Sequence, residues 1–369
     1  MGAVQAVNIG YSPRHAAPPS ARPPKLNSRW RRTRLLVLLV VAFALLAAGA
    51  AVTMLPVAQH RSAACHGTLT CGERDEAGRS LNVLIDSAVS FGLHGPAAIA
   101  ICRDHLWVTN QVSDSVTEFG WRAPSVPVIW SGHRYELAAP DAVTAGRDRL
   151  WIASTAAITE MNAMNGRVIR VISRQAGSSS PRALTLYGRR LWVAHANSVT
   201  EFNTTTGRLI AVFRARRYGF SDARAIAVSH RRLWVVNAGN GSVTEMDATS
   251  GRLVGKLSGA ALGQTEPVAT AADPSRLWVA GLAPASVSEI DTSTGRLVSR
   301  LAGTKYAIAG PTAITLSHGK VWIADAGNDS VTEIDASTGA LVGVLRGARY
   351  GFAAPTGIVA YRNRVWVVN

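Results

Sequence analysis

The sequence lacks the short motifs that carry most enzyme chemistry. It has no Glu-x-His pair, no Gly-x-Ser-x-Gly nucleophile elbow, no His-Glu-x-x-His metal helix and no phosphate-cradling glycine loop. It has only three cysteines in 369 residues, Cys65, Cys71 and Cys102, and their spacing matches no zinc site. An oxidising compartment would permit one disulfide, and Cys65 and Cys71 lie closest in sequence. No apolar period of 3.6 residues persists, and glycine recurs roughly every ten to twenty residues, so a helical domain is excluded. Acidic residues are missing from the first 34 positions.

What is present is repetition. Seven tryptophans, Trp107, Trp151, Trp192, Trp234, Trp278, Trp322 and Trp366, follow one another at gaps of 44, 41, 42, 44, 44 and 44 residues. Each sits in an apolar triplet such as Leu106-Trp107-Val108 or Val365-Trp366-Val367. A repeat of this length, made of short apolar runs and turn signals, predicts a propeller of four-stranded blades. Residues 311–347 show one unit: strands at 312–316, 321–325, 330–335 and 341–345, with turns between them rich in Gly, Asn, Asp, Ser and Thr. The tryptophans are structural in this reading.

The chain ends bear on closure. The last unit stops at Asn369, directly after its tryptophan strand, so its third and fourth strands must come from elsewhere. Residues 68–71 resemble a third strand and residues 81–86 a fourth. The expected fold is therefore all-β: a seven-bladed β-propeller of four-stranded blades over residues 67–369, closed by strands from both chain ends and preceded by one transmembrane helix.

Residues 35–58 carry no charge and are dominated by Leu, Val and Ala, long enough to span a bilayer as a helix. The 34 residues before them hold seven basic residues and no acid, while the near C-terminal flank offers only His60 and Arg61. That asymmetry predicts a Pro-rich, disordered cytoplasmic tail at 1–34, a single-pass helix at 35–58, a linker at 59–66 and a propeller outside the cell membrane. A cleaved signal peptide would need a shorter head and a shorter apolar core. Without the tail's cations, 32 basic and 23 acidic residues remain, a surplus of +9 on the outer part. No nucleic-acid recognition motif accompanies that charge, so an anionic envelope polymer or an envelope protein is the expected partner of a monomeric propeller, and nucleic acid is not.

The units resemble those of the YVTN, NHL and streptogramin-lyase-like propellers. The resemblance is carried by Val321-Trp322-Ile323-Ala324-Asp325, the turn Ala326-Gly327-Asn328-Asp329, then Ser330-Val331-Thr332-Glu333-Ile334-Asp335 and Thr338-Gly339. It implies the fold over residues 67–369 and leaves the activity open, because members include sensors, surface-binding modules and antibiotic-inactivating lyases. The resemblance implies that a lyase would hold a metal with a histidine and a Glu-x-His pair in the central funnel, and this chain has no such pair. His230 and His318 fall at one turn position, and His195 ends a tryptophan strand.

Three repeated features are candidates for function. Six glutamates, Glu118, Glu160, Glu201, Glu245, Glu289 and Glu333, recur on the third strand, where pairing with a nearby arginine such as Arg208, Arg252 or Arg296 is the structural expectation. Polar residues end most tryptophan strands: Asn110, Ser154, His195, Asn237, Asp325 and Asn369, with Gly281 the exception. Asn and Asp there suit the following turn. In the loops between blades a cation precedes a tyrosine four times, at Arg134-Tyr135, Arg217-Tyr218, Lys305-Tyr306 and Arg349-Tyr350, and a fifth loop carries Phe91. Rings beside cations suit sugars and anionic groups, or the rings plug gaps between blades. The reading is a membrane-anchored binding or sensing propeller with no catalytic residue, metal or cofactor expected. A lyase or hydrolase acting in the central funnel is the alternative.

Overall fold

Short runs rich in Val, Ile and Thr make each of these segments a strand, and the second and third strands of a blade are buried on both faces, as residues 106–110 and 115–119 are. The structure, a computed structural model, describes residues 4–9, 72–74, 80–84, 92–120, 126–173, 180–347, 350–361 and 364–369. The chain divides into two units, and every described residue belongs to the one formed by residues 1–10 and 70–369. The apolar segment 35–58, the linker 59–66, Cys65 and Cys71 lie outside the described residues, as does the tail except for 4–9. Among the described residues no helix is long and apolar enough to cross a membrane.

Six sheets have four antiparallel strands in sequence order. Blade 1 runs through Pro96–Cys102, His105–Asn110, Ser115–Gly120 and Val128–Ser131. Blade 2 is Ala142–Gly146, Arg149–Ala153, Ala157–Asn162 and Val168–Ser173. Blade 3 is Pro181–Tyr187, Arg190–His195, Ser198–Asn203 and Leu209–Arg214. Blade 4 is Ala223–Ser229, Arg232–Asn237, Ser242–Asp247 and Leu253–Leu257. Blade 5 is Pro267–Ala272, Arg276–Leu282, Ala285–Asp291 and Leu297–Ala302. Blade 6 is Pro311–Ser317, Lys320–Asp325, Ser330–Asp335 and Leu341–Arg346.

The remaining sheet corrects the expectation of seven like blades. It has five strands, in the order Gly357–Tyr361, Arg364–Val368, Val4–Ile9, Ser80–Leu84 and Gly72–Arg74. The fourth strand is where the sequence placed it. The third is not 68–71 but Val4–Ile9, which the composition of the tail had assigned to disorder. Its order Val4-Gln5-Ala6-Val7-Asn8 puts valines where Val331-Thr332-Glu333-Ile334-Asp335 has Val331 and Ile334. The register agrees as well: Trp366 faces Ala6 and Val365 faces Val7, as Trp322 faces Glu333 and Val321 faces Ile334.

The inner strands of consecutive sheets pack side by side, and Gly357–Tyr361 lies between the inner strands of blades 6 and 1. Every interface has its own apolar cluster. Trp151, Leu191 and Phe202 fill the one between blades 2 and 3, and Leu93, Val108, Trp366 and Val368 the one between the closing sheet and blade 1. The tryptophans are 0–4% exposed, so burial between blades explains their period. In some blades the hairpin glycine before the outer strand presses on the preceding blade: a Cβ on Gly166 would strike Trp130, and one on Gly251 would strike Phe213. Both also take positive φ, +63° and +70°.

Connectivity gives the ring two faces. The turns between second and third strands share one face with the blade-to-blade loops, called here the crossover face. The turns between first and second strands share the opposite face with those between third and fourth.

Candidate functional site at the crossover face

The blade-to-blade loops form single helical turns, including His133–Tyr135, Ala215–Tyr218, Gly259–Leu262 and Thr304–Tyr306. Their last side chain goes inward. Tyr135 is 1% exposed, Tyr218 6% and Tyr350 1%, with Tyr306 half-buried. Tyr218 stacks on Phe220 with centroids 5.3 Å apart, and Tyr350 on Phe352 at 5.6 Å. The Tyr218 hydroxyl donates to the Gly251 carbonyl at 3.0 Å and the Tyr306 hydroxyl to the Gly339 carbonyl at 3.3 Å, in the hairpin turns of their own blades. The third-strand hydroxyls hold the loops down: Thr244 donates to the Tyr218 carbonyl, Thr332 to that of Tyr306 and Ser288 to that of Leu262.

These rings therefore plug blade interfaces. A stacking role toward a ligand does not fit rings so deeply buried. The cations before them stay outside. Arg134, Arg217 and Lys305 are exposed, lying 4.8, 5.8 and 5.1 Å from the neighbouring ring centroids. Phe91 and Arg349 lie outside the described residues.

The polar ends of the tryptophan strands serve the turns. Asn110 donates to Ser115 and Thr117, and Asn237 to Ser242 and Thr244. Asp325 accepts three backbone N–H groups, from Ala309, Gly310 and Gly327, at 2.7 to 3.0 Å. His195 is buried and shares a 2.9 Å hydrogen bond with Thr200. Where Gly281 offers no side chain, the buried Gln264 fills the space and meets Ser286 at 3.2 Å. His230 and His318 sit at positive φ, 51° and 49°, in the expected turn.

The glutamates are structural, but their partners are not the arginines expected. Glu245 pairs with Arg232 at 3.0 Å and Glu289 with Arg276 at 2.7 Å. Glu201 pairs with Arg190, Glu160 with Arg149 and Arg170, and Glu118 with His105. Most partners begin the second strand, two residues from the tryptophan and on its side of the sheet, so strand register brings them to the carboxylate. Arg252 and Arg296 instead sit in the hairpin turn. Burial pushes the Glu245 carboxyl up, opposed by the Arg232 charge.

One feature of this face escaped the repeat analysis because it does not repeat. Inner strands begin with a register shift, and its extra residue is Ala97, Val268 or Thr312 in three blades but Arg182 and Arg224 in blades 3 and 4. Arg182 pairs with Asp222, which also binds Arg224 at 3.0 Å. Arg224 reaches Glu266 at 3.7 Å, and Gln111 donates to Asp141 at 2.6 Å. An arc of alternating charge therefore edges the inner strands of blades 2 to 5. On the other side the threonines bond backbone: Thr312 donates to the Pro355 carbonyl and Thr356 to that of Pro96. The cue in the sequence was arginine at a position otherwise small or apolar. Among the described residues no group of three or more His, Cys, Asp or Glu could hold a metal ion.

The chain is thus a β-propeller of repeated blades. The fold is similar to virginiamycin B lyase from Staphylococcus aureus, with TM-score 0.61 and 15% identity over 74% of this chain and 94% of that one. A streptogramin B lyase structure matches at TM-score 0.61 and 15% identity, covering 76% and 95%. Hydrazine synthase of Kuenenia stuttgartiensis matches at 0.60 and 16%, covering 74% and 91%. No family model matches the chain, and no curated protein matches it in sequence. Likeness at this identity establishes the fold, and propellers of one fold serve unrelated functions.

Proposed function

We propose that this chain is a non-enzymatic binding propeller that recognises an anionic envelope polymer through its crossover face, with the five-stranded sheet serving as the seventh blade. The observation that carries the reading is the split within each loop: the tyrosine is locked into the blade interface while the adjacent Arg134, Arg217 or Lys305 is displayed on the surface. Cations fixed on rigid loops lose little freedom when a polymer binds, and several weak contacts add up along a chain.

The reading keeps an extracytoplasmic site of action but gives up the single-pass anchor expected at residues 35–58. Both Val4–Ile9 and Ser80–Leu84 belong to one sheet. A single crossing by 35–58 would put them on opposite sides of the bilayer, so that topology requires the first strand to leave the sheet.

The test is binding of the full chain to a defined anionic polymer such as teichoic acid, with Arg134, Arg217, Lys305 and Arg349 replaced by Ser. Exposed cation contacts of about 0.5–1 kcal/mol each predict a loss of about tenfold or more, with little change in melting temperature. Binding should also weaken as salt rises. Unchanged binding in the variant overturns the proposal. A lyase or hydrolase in the central funnel is the second reading, favoured by the charged arc beside the inner strands. Stoichiometric divalent metal in the purified protein would support it.

A further inference from the structure

On the face opposite the crossover loops, a cleft of about 620 Å³ opens between blades 2 and 3. Its lining includes Gly146, Arg147, Trp151, Leu186, Arg189 and Thr204. Register explains why it opens here. Gly146 faces Arg149 at the end of its inner strand. The same position holds Cys102, Tyr187, Ser229, Ser317 and Tyr361 in other sheets. The missing side chain lets Leu186 reach the Gly146 backbone: a Cβ built on Gly146 would come within 2.7 Å of Leu186 Cδ1.

The charge at the rim is also peculiar to this interface. One interface earlier, Arg103 of blade 1 meets Asp148 of blade 2 at 2.5 Å. One blade on, Arg147 stands where Arg103 stood, and Arg189 stands where Asp148 stood. An attractive pair is replaced by two like charges at one opening. Nor does Arg189 find an acid within its own blade. Blade 4 pairs Arg231 with Asp247 at 3.5 Å, but blade 3 has Asn203 in that place. Arg149, the third arginine of the lining, is already held by Glu160. Among the described residues neither Arg147 nor Arg189 has an ion pair.

Asp148 also lines the cleft but is held by Arg103, so Arg147 and Arg189 leave a positive excess at the opening that favours an anion, and each offers a planar fork of donors to oxygen anions. Behind them, Trp151, Leu186 and Ala145 supply an apolar wall. We propose that this cleft is a second binding site, separate from the crossover face, for a small organic anion: a phosphate or sulfate group held by Arg147 and Arg189, with an aryl or sugar body against the apolar wall. Thr204 and Thr205 at the rim add hydroxyls for the same group.

The experiment is calorimetric titration of the full chain with phenyl phosphate and, separately, with inorganic phosphate. Phenyl phosphate should bind about tenfold more tightly than phosphate alone, because only it uses the wall. Gly146→Tyr should abolish binding of both. Tyrosine occupies this position in two other sheets, Gly146 does not need positive φ, and the Leu186 Cδ1 that a Cβ would meet is the end of a flexible side chain that can turn aside, so the variant should fold. Arg147→Ser with Arg189→Ser, which leaves the apolar wall intact, should weaken phenyl phosphate at least about tenfold. Absence of binding to the native chain, or unchanged binding in the double variant, overturns the proposal. Equal affinity for the two probes also overturns it, since the organic body would then gain nothing from the wall.

Discussion

The six blades made from consecutive strands and the sheet assembled from distant parts of the chain share a register but not a chemistry. In the blades a third-strand glutamate faces the tryptophan, as Glu201 faces Trp192. In the closing sheet Ala6 faces Trp366. The register of Val4–Ile9 therefore does not depend on the carboxylate. Pairing with Arg364–Val368 on one side and Ser80–Leu84 on the other is made without that side chain. The ion pair is added to a strand already placed. A blade's strands are joined by short turns, whereas Val4–Ile9 and Ser80–Leu84 are separated by a long intervening segment. The entropy of closing a loop grows only slowly with its length, so the distant strand can still compete for the ring.

The largest effect should come from removing that strand. A chain beginning at Arg61 keeps the fourth and fifth strands of the closing sheet but loses the third. Its melting temperature should fall by roughly 10 °C or more relative to the full chain, with loss of a single sharp transition. In the full chain, Gln5→Cys with Val367→Cys, which are Cα partners in the sheet, should form a disulfide on oxidation. Equal melting of the two chains, together with no crosslink, would show that the ring closes without Val4–Ile9.

A middle-sized effect separates the two kinds of sheet by their glutamate. Glu201→Ala removes a carboxylate that is 2% exposed and paired with Arg190, at a cost of about 1–3 kcal/mol in denaturant unfolding. Ala6→Glu inserts that carboxylate into the closing sheet, where Arg364 holds the register position of Arg190, and should change stability by less than about 1 kcal/mol. If Ala6→Glu is as damaging as Glu201→Ala, the closing sheet's third strand packs more tightly than the register alone implies.

Much of this comparison could be read from the sequence, and the unread part has identifiable causes. The strand pattern, the tryptophan period and the turn histidines follow from local chemistry repeated six or more times. The buried tyrosines were readable only as one of two alternatives, because a ring beside a cation looks alike whether it faces a ligand or a blade. Val4–Ile9 was hidden for two reasons. Its glutamate position holds alanine, and the basic, Pro-rich residues after it dominate the composition of the tail. The partners of the glutamates come from the tryptophan strand on one side rather than from the arginines after the hairpin on the other, and residue type alone does not say which neighbouring strand supplies the charge. The arc of Arg182, Asp222, Arg224 and Glu266 and the cleft at Gly146 were invisible to repeat analysis because both are departures from the repeat.

The smallest effect distinguishes the hairpin acids of the blades from Asn8, which faces Arg364 at the matching position of the closing sheet. Asp291 accepts hydrogen bonds from the Ser293 and Thr294 hydroxyls and backbone N–H groups, at 2.6 to 3.0 Å. Those bonds, the Ser293 hydroxyl first, hold its carboxyl down at about 2. A carboxylate whose pKa is depressed in the folded state adds stability that is present above its unfolded value, near 3.8, and lost as pH falls toward 2. Asn accepts the same backbone bonds at Asn162 and Asn203, so Asp291→Asn should fold normally. Its melting temperature should lie about 1–2 °C below the native chain at pH 5, and the gap should close as pH is lowered through 3. A gap that stays constant across that range would mean that the charge of Asp291 contributes nothing, and that the blades' acidic hairpins and the closing sheet's asparagine are equivalent.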